Sequence, residues 1–160
     1  MTANTLDCPA GGRIADGEHR FGLRVYFEDT DFSGAVYHAQ YLNFMERARS
    51  DMLRVAGIDQ RAAHEAGEGS YAVAAMTIRY LRPARFDDAL VVHSRPTQVR
   101  AAAIHIQQRV MRGGESLAEA DVTVAFVAPS GRPRRQPAAW TEIFGRVFPI
   151  TATQQGELPA

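Results

Sequence analysis

The sequence predicts one α+β domain, in which an antiparallel sheet wraps around a single long helix. Two observations lead to this prediction. Residues 39–56 carry apolar side chains at intervals of three and four, which is the period of a helix. Four strand-like segments follow with no helical pattern between them, and this disfavours doubly wound folds, because parallel strands require crossover helices.

The N-terminal part predicts a tail, a strand and a turn before the helix. Residues 1–19 show no apolar periodicity and predict a flexible tail. Residues 20–28 alternate between apolar and polar side chains and predict a strand, and residues 29–36 are rich in turn formers. The helix over 39–56 is expected to stop at Gly57. Its predicted buried stripe is Tyr41, Leu42, Met45, Ala48, Met52, Leu53 and Ala56.

The C-terminal part predicts an antiparallel run of strands and a short helix. After a linker at residues 58–69, strand-like patterns occupy residues 71–81, 89–97, 101–112 and 117–127. Gly113 and Gly114 fit a hairpin turn between the last two strands. Pro137 predicts the first turn of a final helix. We therefore expect a domain over residues 20–148, with tails at 1–19 and 149–160.

Composition excludes several kinds of chemistry. All 18 basic residues are arginine and they balance 18 acidic residues. Without lysine there is no Schiff-base chemistry and no phosphate loop of the G-x-x-x-x-G-K type. Zero net charge gives no field that favours nucleic acid, and no apolar run resembles a signal peptide or a membrane span. Cys8 is the one cysteine, so we expect no disulfide and a cytoplasmic enzyme or binding domain.

An acidic turn lies between the first strand and the helix. Glu28, Asp29 and Asp31 fall within four positions, just before a helix start that exposes backbone N–H donors. Such donors can polarise a carbonyl oxygen while a carboxylate attacks the carbonyl carbon or activates water. Gly34 is expected to allow close approach of the backbone to a substrate. The pattern favours hydrolysis of an activated acyl group.

The same residues also have simpler interpretations. Asp, Ser and Gly before a helix are ordinary turn and capping residues, and Glu28 and Asp29 are interpreted as solvated turn residues. A metal site built on Asp29 and Asp31 finds no companion ligands at a suitable spacing. A serine hydrolase would need a G-x-S-x-G motif, which Ser33 lacks. The residue pattern alone leaves the catalytic and the structural role open.

A longer stretch around the acidic turn resembles a known family. Residues 24–49, RVYFEDTDFSGAVYHAQYLNFMERAR, closely resemble the signature of the YbgC-like acyl-CoA thioesterases. These enzymes belong to the 4-hydroxybenzoyl-CoA thioesterase branch of the hotdog-fold superfamily. Weaker resemblances follow in the same order at residues 80–88, 100–109 and 132–134, so that the resemblance extends over about residues 20–146.

The resemblance implies a fold, an activity and a site. It implies a hotdog domain that hydrolyses acyl-CoA to a carboxylic acid and free CoA, with no cofactor or metal besides the CoA of the substrate. Asp31 matches the catalytic carboxylate, as nucleophile or general base, and the backbone N–H of His38 matches the donor to the thioester carbonyl. Gly34 and Tyr37 line the same turn. A homodimer with the site at its interface is implied, and commonly a homotetramer.

Further residues are interpreted through the same resemblance. Arg100 and Arg134 are the predicted contacts to the CoA phosphates. The family often has Ala-Gly-Gly or Pro-Ala-Gly where this chain has Phe32-Ser33-Gly34, and the larger Phe32 is expected to narrow the acyl pocket. Glu46 is expected to pair with Arg47 or Arg49 of the helix, or with a backbone group. The alternative function is a non-catalytic hotdog scaffold that binds acyl-CoA or an acyl carrier protein at a cell-envelope complex.

Overall fold

Six strands and three helices make up residues 7–150, which are the residues that the computed structural model describes. In chain order they are β1 (Arg13–Ala15), β2 (Glu18–Arg24), α1 (Gln40–Ala56), α2 (Gln60–Glu65), β3 (Ser70–Tyr80), β4 (Ala89–Val99), β5 (Ala103–Arg112), β6 (Glu115–Val127) and α3 (Ala138–Val147). The strands form one antiparallel sheet in the order β1-β2-β4-β5-β6-β3. This sheet wraps α1, and the predicted α+β hotdog fold is confirmed.

Helix α1 fills the concave side of the sheet. It ends where the sequence predicts, because Gly57 adopts a φ of 93°, a left-handed conformation that stops a helix. Most of the predicted apolar stripe is buried, together with Phe44. Leu42 was predicted to be buried and is instead 40% exposed, since it lies to one side of the stripe. The polar residues Arg49 and Asp51 are buried because each has polar partners inside the protein.

The inner face of the sheet supplies the other half of the core. Strands β5 and β6 alternate between buried and more exposed residues, as expected for strands that are covered on one face. The buried apolar members of these two strands are Ile104, Ile106, Val110, Leu117, Ala118, Ala120, Val122, Val124 and Phe126. Their apolar surface packs with α1, and its removal from water stabilises the arrangement of helix and sheet.

The predicted N-terminal tail is too long. Strand β1 and the start of β2 lie within residues 1–19, and His19 is fully buried. Its Nε2 lies 2.7 Å from Oδ2 of Asp51 on α1, and the Gly12 N–H donates to the same oxygen at 2.8 Å. These strands are tied to α1 by polar contacts, so they lack the apolar alternation that would have predicted them. The strand predicted over residues 20–28 ends at Arg24 and is followed by a short 3-10 turn.

The connections elsewhere agree closely with the sequence patterns. Gly113, with a φ of 56°, lies in the predicted hairpin turn, and Pro137 is the N-cap of α3. Helix α2 falls in the segment predicted as a linker, where the Asp59 side chain accepts the Ala62 N–H. The predicted tail at 149–160 lies almost wholly outside the described residues. Among residues 7–150, no helix is both long and apolar enough to cross a bilayer.

Candidate active site

The acidic turn forms a tight loop between β2 and α1. The Asp31 N–H donates to the Ala35 carbonyl at 2.9 Å, and the Gly34 N–H donates to the Asp31 carbonyl at 3.0 Å. Gly34 has a φ of 84°, which side chains with a Cβ rarely adopt. A Cβ at this position would meet no atom within 4 Å. Gly34 is therefore required by the turn, and the expected close approach of its backbone to a substrate stays a prediction.

The loop is fixed against the segment between β3 and β4. The Val36 N–H donates to the Ala84 carbonyl at 2.8 Å, and Ala35 forms an antiparallel bridge with Arg85. The Ala84 N–H in turn donates to the phenol oxygen of Tyr41, in the first turn of α1, at 2.9 Å. Two segments that are far apart in sequence thus hold the loop next to the start of the helix.

Asp31 is exposed, and one of its oxygens is held by Ser33. Its Oδ1 accepts the Ser33 N–H at 2.8 Å and the Ser33 hydroxyl at 2.5 Å. These bonds, the hydroxyl first, lower the pKa of Asp31 below its ordinary value, and the nearby His38 adds a smaller electrostatic contribution in the same direction. The carboxylate is therefore ionised at neutral pH, as a nucleophile or a general base must be.

His38 precedes the first residue of α1 by two positions. Within residues 7–150 its backbone N–H donates to no acceptor, whereas the N–H groups of Val36 and Tyr37 both do. The His38 carbonyl accepts the Tyr80 hydroxyl at 2.8 Å, which fixes the peptide that follows it. The ring of Tyr37 lies edge-on to the His38 ring at 4.5 Å. An available N–H beside a helix start can donate to a carbonyl oxygen that gains negative charge.

The three carboxylates of the acidic turn have different surroundings. Asp29 is buried, and the interpretation of it as a solvated turn residue is wrong. Its Oδ2 accepts the Tyr26 N–H at 2.8 Å, and its carbonyl accepts the Tyr37 N–H at 2.9 Å. Asp29 therefore shapes the loop, while Glu28 is exposed as expected. Asp31 is the carboxylate that faces solvent beside the His38 peptide.

Comparison with known proteins shows which family the chain belongs to. The family model of the thioesterase-like superfamily matches residues 25–150. The chain belongs to this superfamily.

Individual relatives of this superfamily agree with that assignment. The acyl-CoA thioesterase YbgC of Haemophilus influenzae is 41% identical over 114 residues, which cover 71% of this chain and 84% of that protein. A probable thioesterase from Bartonella henselae has a TM-score of 0.72 at 39% identity and covers 75% of this chain and 99% of its own. A thioesterase from Thermus thermophilus, solved with coenzyme A and Zn, has a TM-score of 0.72 at 27% identity, with coverages of 82% and 95%. The predicted YbgC-like thioester hydrolase is confirmed.

The two arginines predicted to bind CoA do not lie near Asp31 in one thioesterase chain. Arg134 donates to the carbonyls of Gly67 and Glu68, at 3.2 and 2.7 Å, just before the start of β3. Arg100 lies in the turn between β4 and β5, where its carbonyl accepts from Gln136. His38, in contrast, is hydrogen-bonded to Tyr80 at the other end of β3. The two ends of this strand are about 30 Å apart, given the rise per residue of an extended strand.

Two further expectations concern Phe32 and Glu46. The side chain of Phe32 is 109% exposed and narrows no pocket within the single chain, so its expected effect on an acyl pocket at a dimer interface stays a prediction. Glu46 pairs with Arg49 at 2.8 Å, as predicted for a neighbouring arginine. Arg49 also donates to the buried Gln108 at 2.8 Å, so the pair belongs to a polar network between α1 and β5.

Sequence reasoning missed two residues of the site. Ser33 was considered as a turn residue and as a nucleophile, whereas its hydroxyl is a donor to Asp31. Tyr80 was part of a matched segment without a role, and it bonds to the His38 carbonyl. The available signal for Ser33 was that it stands where the family often has Gly or Ala. Within residues 7–150 no group of three or more His, Cys, Asp or Glu could hold a metal ion.

Proposed function

We propose that this chain is an acyl-CoA thioesterase that hydrolyses acyl-CoA to a carboxylic acid and free CoA. Asp31 is the nucleophile or the general base, and the His38 N–H donates to the thioester carbonyl. The observation that supports this most is that an ionised, exposed carboxylate, Asp31, and a backbone N–H without an acceptor, that of His38, both lie close to the start of α1. YbgC proteins, which the relatives include, are named as acyl-CoA thioesterases.

The proposed chemistry begins at the carbonyl carbon of the thioester. The His38 N–H and the start of α1 stabilise the negative charge that develops on the carbonyl oxygen. In one route an oxygen of Asp31 bonds to the carbonyl carbon, the C–S bond breaks with its electron pair on sulfur, and the CoA thiolate takes a proton from water. Water then hydrolyses the mixed anhydride. In the other route Asp31 takes a proton from a water molecule that attacks the same carbon, the C–S bond breaks with its electron pair on sulfur, and the CoA thiolate takes the proton from Asp31.

Single-turnover hydrolysis in ¹⁸O-labelled water tests which route Asp31 follows. An enzyme excess limits each molecule to one cycle, and mass spectrometry of the peptide that contains Asp31 then reports the label. Label in the Asp31 carboxylate requires the anhydride route, because a general base exchanges no oxygen with the attacking water.

The proposed enzyme is a homodimer that pairs β3 with β3 of a second copy. Strand β3 is the last strand of the sheet, so its outer edge pairs with no other strand among residues 7–150. It is eleven residues long and mostly exposed, although its sequence is largely apolar, and edges of this kind attract another strand. In a two-fold antiparallel pairing, the beginning of one β3 lies beside the end of the other.

This pairing also explains where the predicted arginines lie. Arg134 is bonded just ahead of the start of β3, and Asp31 lies near the end of β3 through the contact of Tyr80 with His38. The two-fold axis therefore brings Arg134 of the partner subunit towards Asp31. We propose that this arginine and Arg100 contact the CoA phosphates across the interface, and that Gly34 and Tyr37 line the reaction site. Pairing of two dimers would give the expected tetramer.

A panel of short, long and aromatic acyl-CoA thioesters tests the proposed activity. Release of the CoA thiol is followed with a thiol reagent, and acyl carrier protein thioesters are assayed in parallel. Hydrolysis of at least one CoA thioester, with catalytic turnover, is the expected result. Acyl-CoA that binds and stays intact after prolonged incubation would favour the non-catalytic scaffold instead. A cytoplasmic location and a contact with an acyl carrier protein or an envelope complex stay predictions.

A further inference from the structure

We propose that Ser33 is a positioning residue, whose hydroxyl holds one oxygen of Asp31 and leaves the other as the reacting oxygen. This inference rests on the proposed function, since it assigns a task to Ser33 only if Asp31 takes part in hydrolysis. It concerns the side-chain hydroxyl of Ser33 and not the backbone hydrogen bonds of the turn.

Two hydrogen bonds of the Ser33 hydroxyl and one of the Ser33 backbone connect two parts of the loop. The Ala35 N–H donates to Ser33 Oγ at 3.3 Å, and Oγ donates to Asp31 Oδ1 at 2.5 Å. The Ser33 N–H donates to the same Oδ1 at 2.8 Å. Among residues 7–150, no donor reaches Oδ2. One carboxylate oxygen is thus fully engaged, and the other is left available to a substrate or a water molecule.

The exposure of Asp31 makes these bonds important for its orientation. A buried carboxylate is held by the atoms packed around it, whereas Asp31 is exposed and has no such packing in the single chain. Two donors on one oxygen restrict rotation about the bond to the carboxyl carbon. Correct orientation of a reacting group contributes strongly to rate, and a misplacement of about 1 Å can cost roughly 100-fold.

The hydroxyl also extends the ionised form of the carboxylate to lower pH. The hydrogen bond from the Ser33 side chain is the largest cause of the lowered pKa of Asp31, ahead of the one from its backbone. Alanine at this position would keep the backbone donor and remove only the hydroxyl. Comparison of these two side chains therefore isolates the contribution of Oγ.

Ser33→Ala and Ser33→Thr are the two variants that test the proposal. For Ser33→Ala we expect kcat to fall about tenfold with KM nearly unchanged, because lost orientation affects the transition state more than binding. The acidic limb of its pH profile for kcat/KM should move to higher pH, towards that of an ordinary aspartate. Ser33→Thr keeps a hydroxyl, so its kcat and the acidic limb of its pH profile should stay near those of the natural chain. A residue that merely stabilised the fold would leave the acidic limb in place.

A second measurement does not depend on activity. The ¹³C shift of the Asp31 carboxyl carbon, assigned by its loss in Asp31→Asn, reports the titration of this group directly. We expect its midpoint to rise in Ser33→Ala and to return in Ser33→Thr. An unchanged midpoint together with unchanged kcat in Ser33→Ala would overturn the role of Ser33. Full activity of Asp31→Asn would instead overturn the proposed function, so the two failures are distinguishable.

Discussion

The phenol oxygen of Tyr80 lies 2.8 Å from the carbonyl oxygen of His38 and donates a hydrogen bond to it. This bond connects the last residue of β3 with the peptide that precedes α1. The Tyr80 ring also lies 5.4 Å from the ring of Tyr41, in the first turn of the helix. The edge strand and the start of the helix are therefore held as one unit, and the orientation of the His38 peptide depends on both.

Tyr80→Phe removes this hydrogen bond and keeps the ring contacts. We expect kcat to fall about 3- to 10-fold, because the loss of one hydrogen bond of about 1 kcal/mol loosens the His38 carbonyl and, through it, the residue whose N–H is the proposed donor. Thermal unfolding should change little, which would show that the fold is retained. Steady-state hydrolysis of the preferred acyl-CoA measures the effect. An unchanged kcat would mean that Tyr80 does not position the residue His38 for catalysis.

The buried pair of His19 and Asp51 predicts a pH-dependent stability. Burial is the main reason why the pKa of His19 lies below its ordinary value of 6.5, although the Asp51 carboxylate acts in the opposite direction. A base with a lowered pKa in the folded state stabilises the fold above its unfolded-state pKa. This contribution is lost as the pH falls below about 6.5 and through the folded-state pKa.

His19→Asn removes the titrating group and can still donate to Asp51. We expect the Tm of the natural chain to drop between pH 7.5 and pH 5 by more than that of the variant, as measured by circular dichroism. His105 also has a pKa lowered mainly by burial. His105→Asn therefore serves as a comparison, which measures how much another histidine contributes to the dependence of Tm on pH. Equal slopes of Tm with pH for the natural chain and His19→Asn would contradict the assignment to His19.

Gly34→Ala tests whether the turn geometry matters for catalysis. The φ of 84° is unfavourable for alanine by about 1–2 kcal/mol, even though the added Cβ has free space around it. We expect a modest loss of stability and a larger loss of kcat, since relief of the strain would shift Asp31. Gly22→Ala, in β2, is the matched control, because a Cβ there also meets no atom within 4 Å. Similar effects of both variants on kcat would contradict the prediction.

Val73→Asp tests the proposed pairing of β3 with a second copy. Val73 is 51% exposed in this edge strand, and a charge in an interface centre should prevent association. We expect a monomer with little hydrolytic activity, because the arginines of the partner subunit are then missing. The natural chain should be a dimer or a tetramer by light scattering. Val55→Asp is the control, since Val55 on α1 is 40% exposed and lies outside β3. A monomeric natural chain with full activity would contradict the pairing.

Local patterns predicted the main elements of the fold because their causes are local. The period of α1 and the stop at Gly57 depend on neighbouring residues, and both agree with the structure. The strands β3 to β6 follow from alternation and turn residues in the same way. Strand β1 and the start of β2 depend instead on the contact of His19 with Asp51, 32 residues away, which no local pattern reveals.

The site was predictable to a similar extent. The resemblance predicted Asp31 and His38 as site residues, and both lie close to the start of α1, while their catalytic roles stay predictions. The burial of Asp29 depends on how the loop closes over its side chain, so the residue types alone could not separate it from Asp31. The distant positions of Arg100 and Arg134 follow from strand topology, and the part proposed for them in the site depends on a proposed second copy of the chain.

The central claim is that Asp31 is the carboxylate that hydrolyses the thioester, and kcat of Asp31→Asn tests it most directly. The amide keeps the size of the side chain but provides neither a nucleophile nor a base. Glu28→Gln is the matched control, because Glu28 is an exposed carboxylate in the same turn. We expect Asp31→Asn to lose at least about 100-fold in kcat with its Tm retained, and Glu28→Gln to stay near the natural rate. Near-natural turnover by Asp31→Asn would contradict the account.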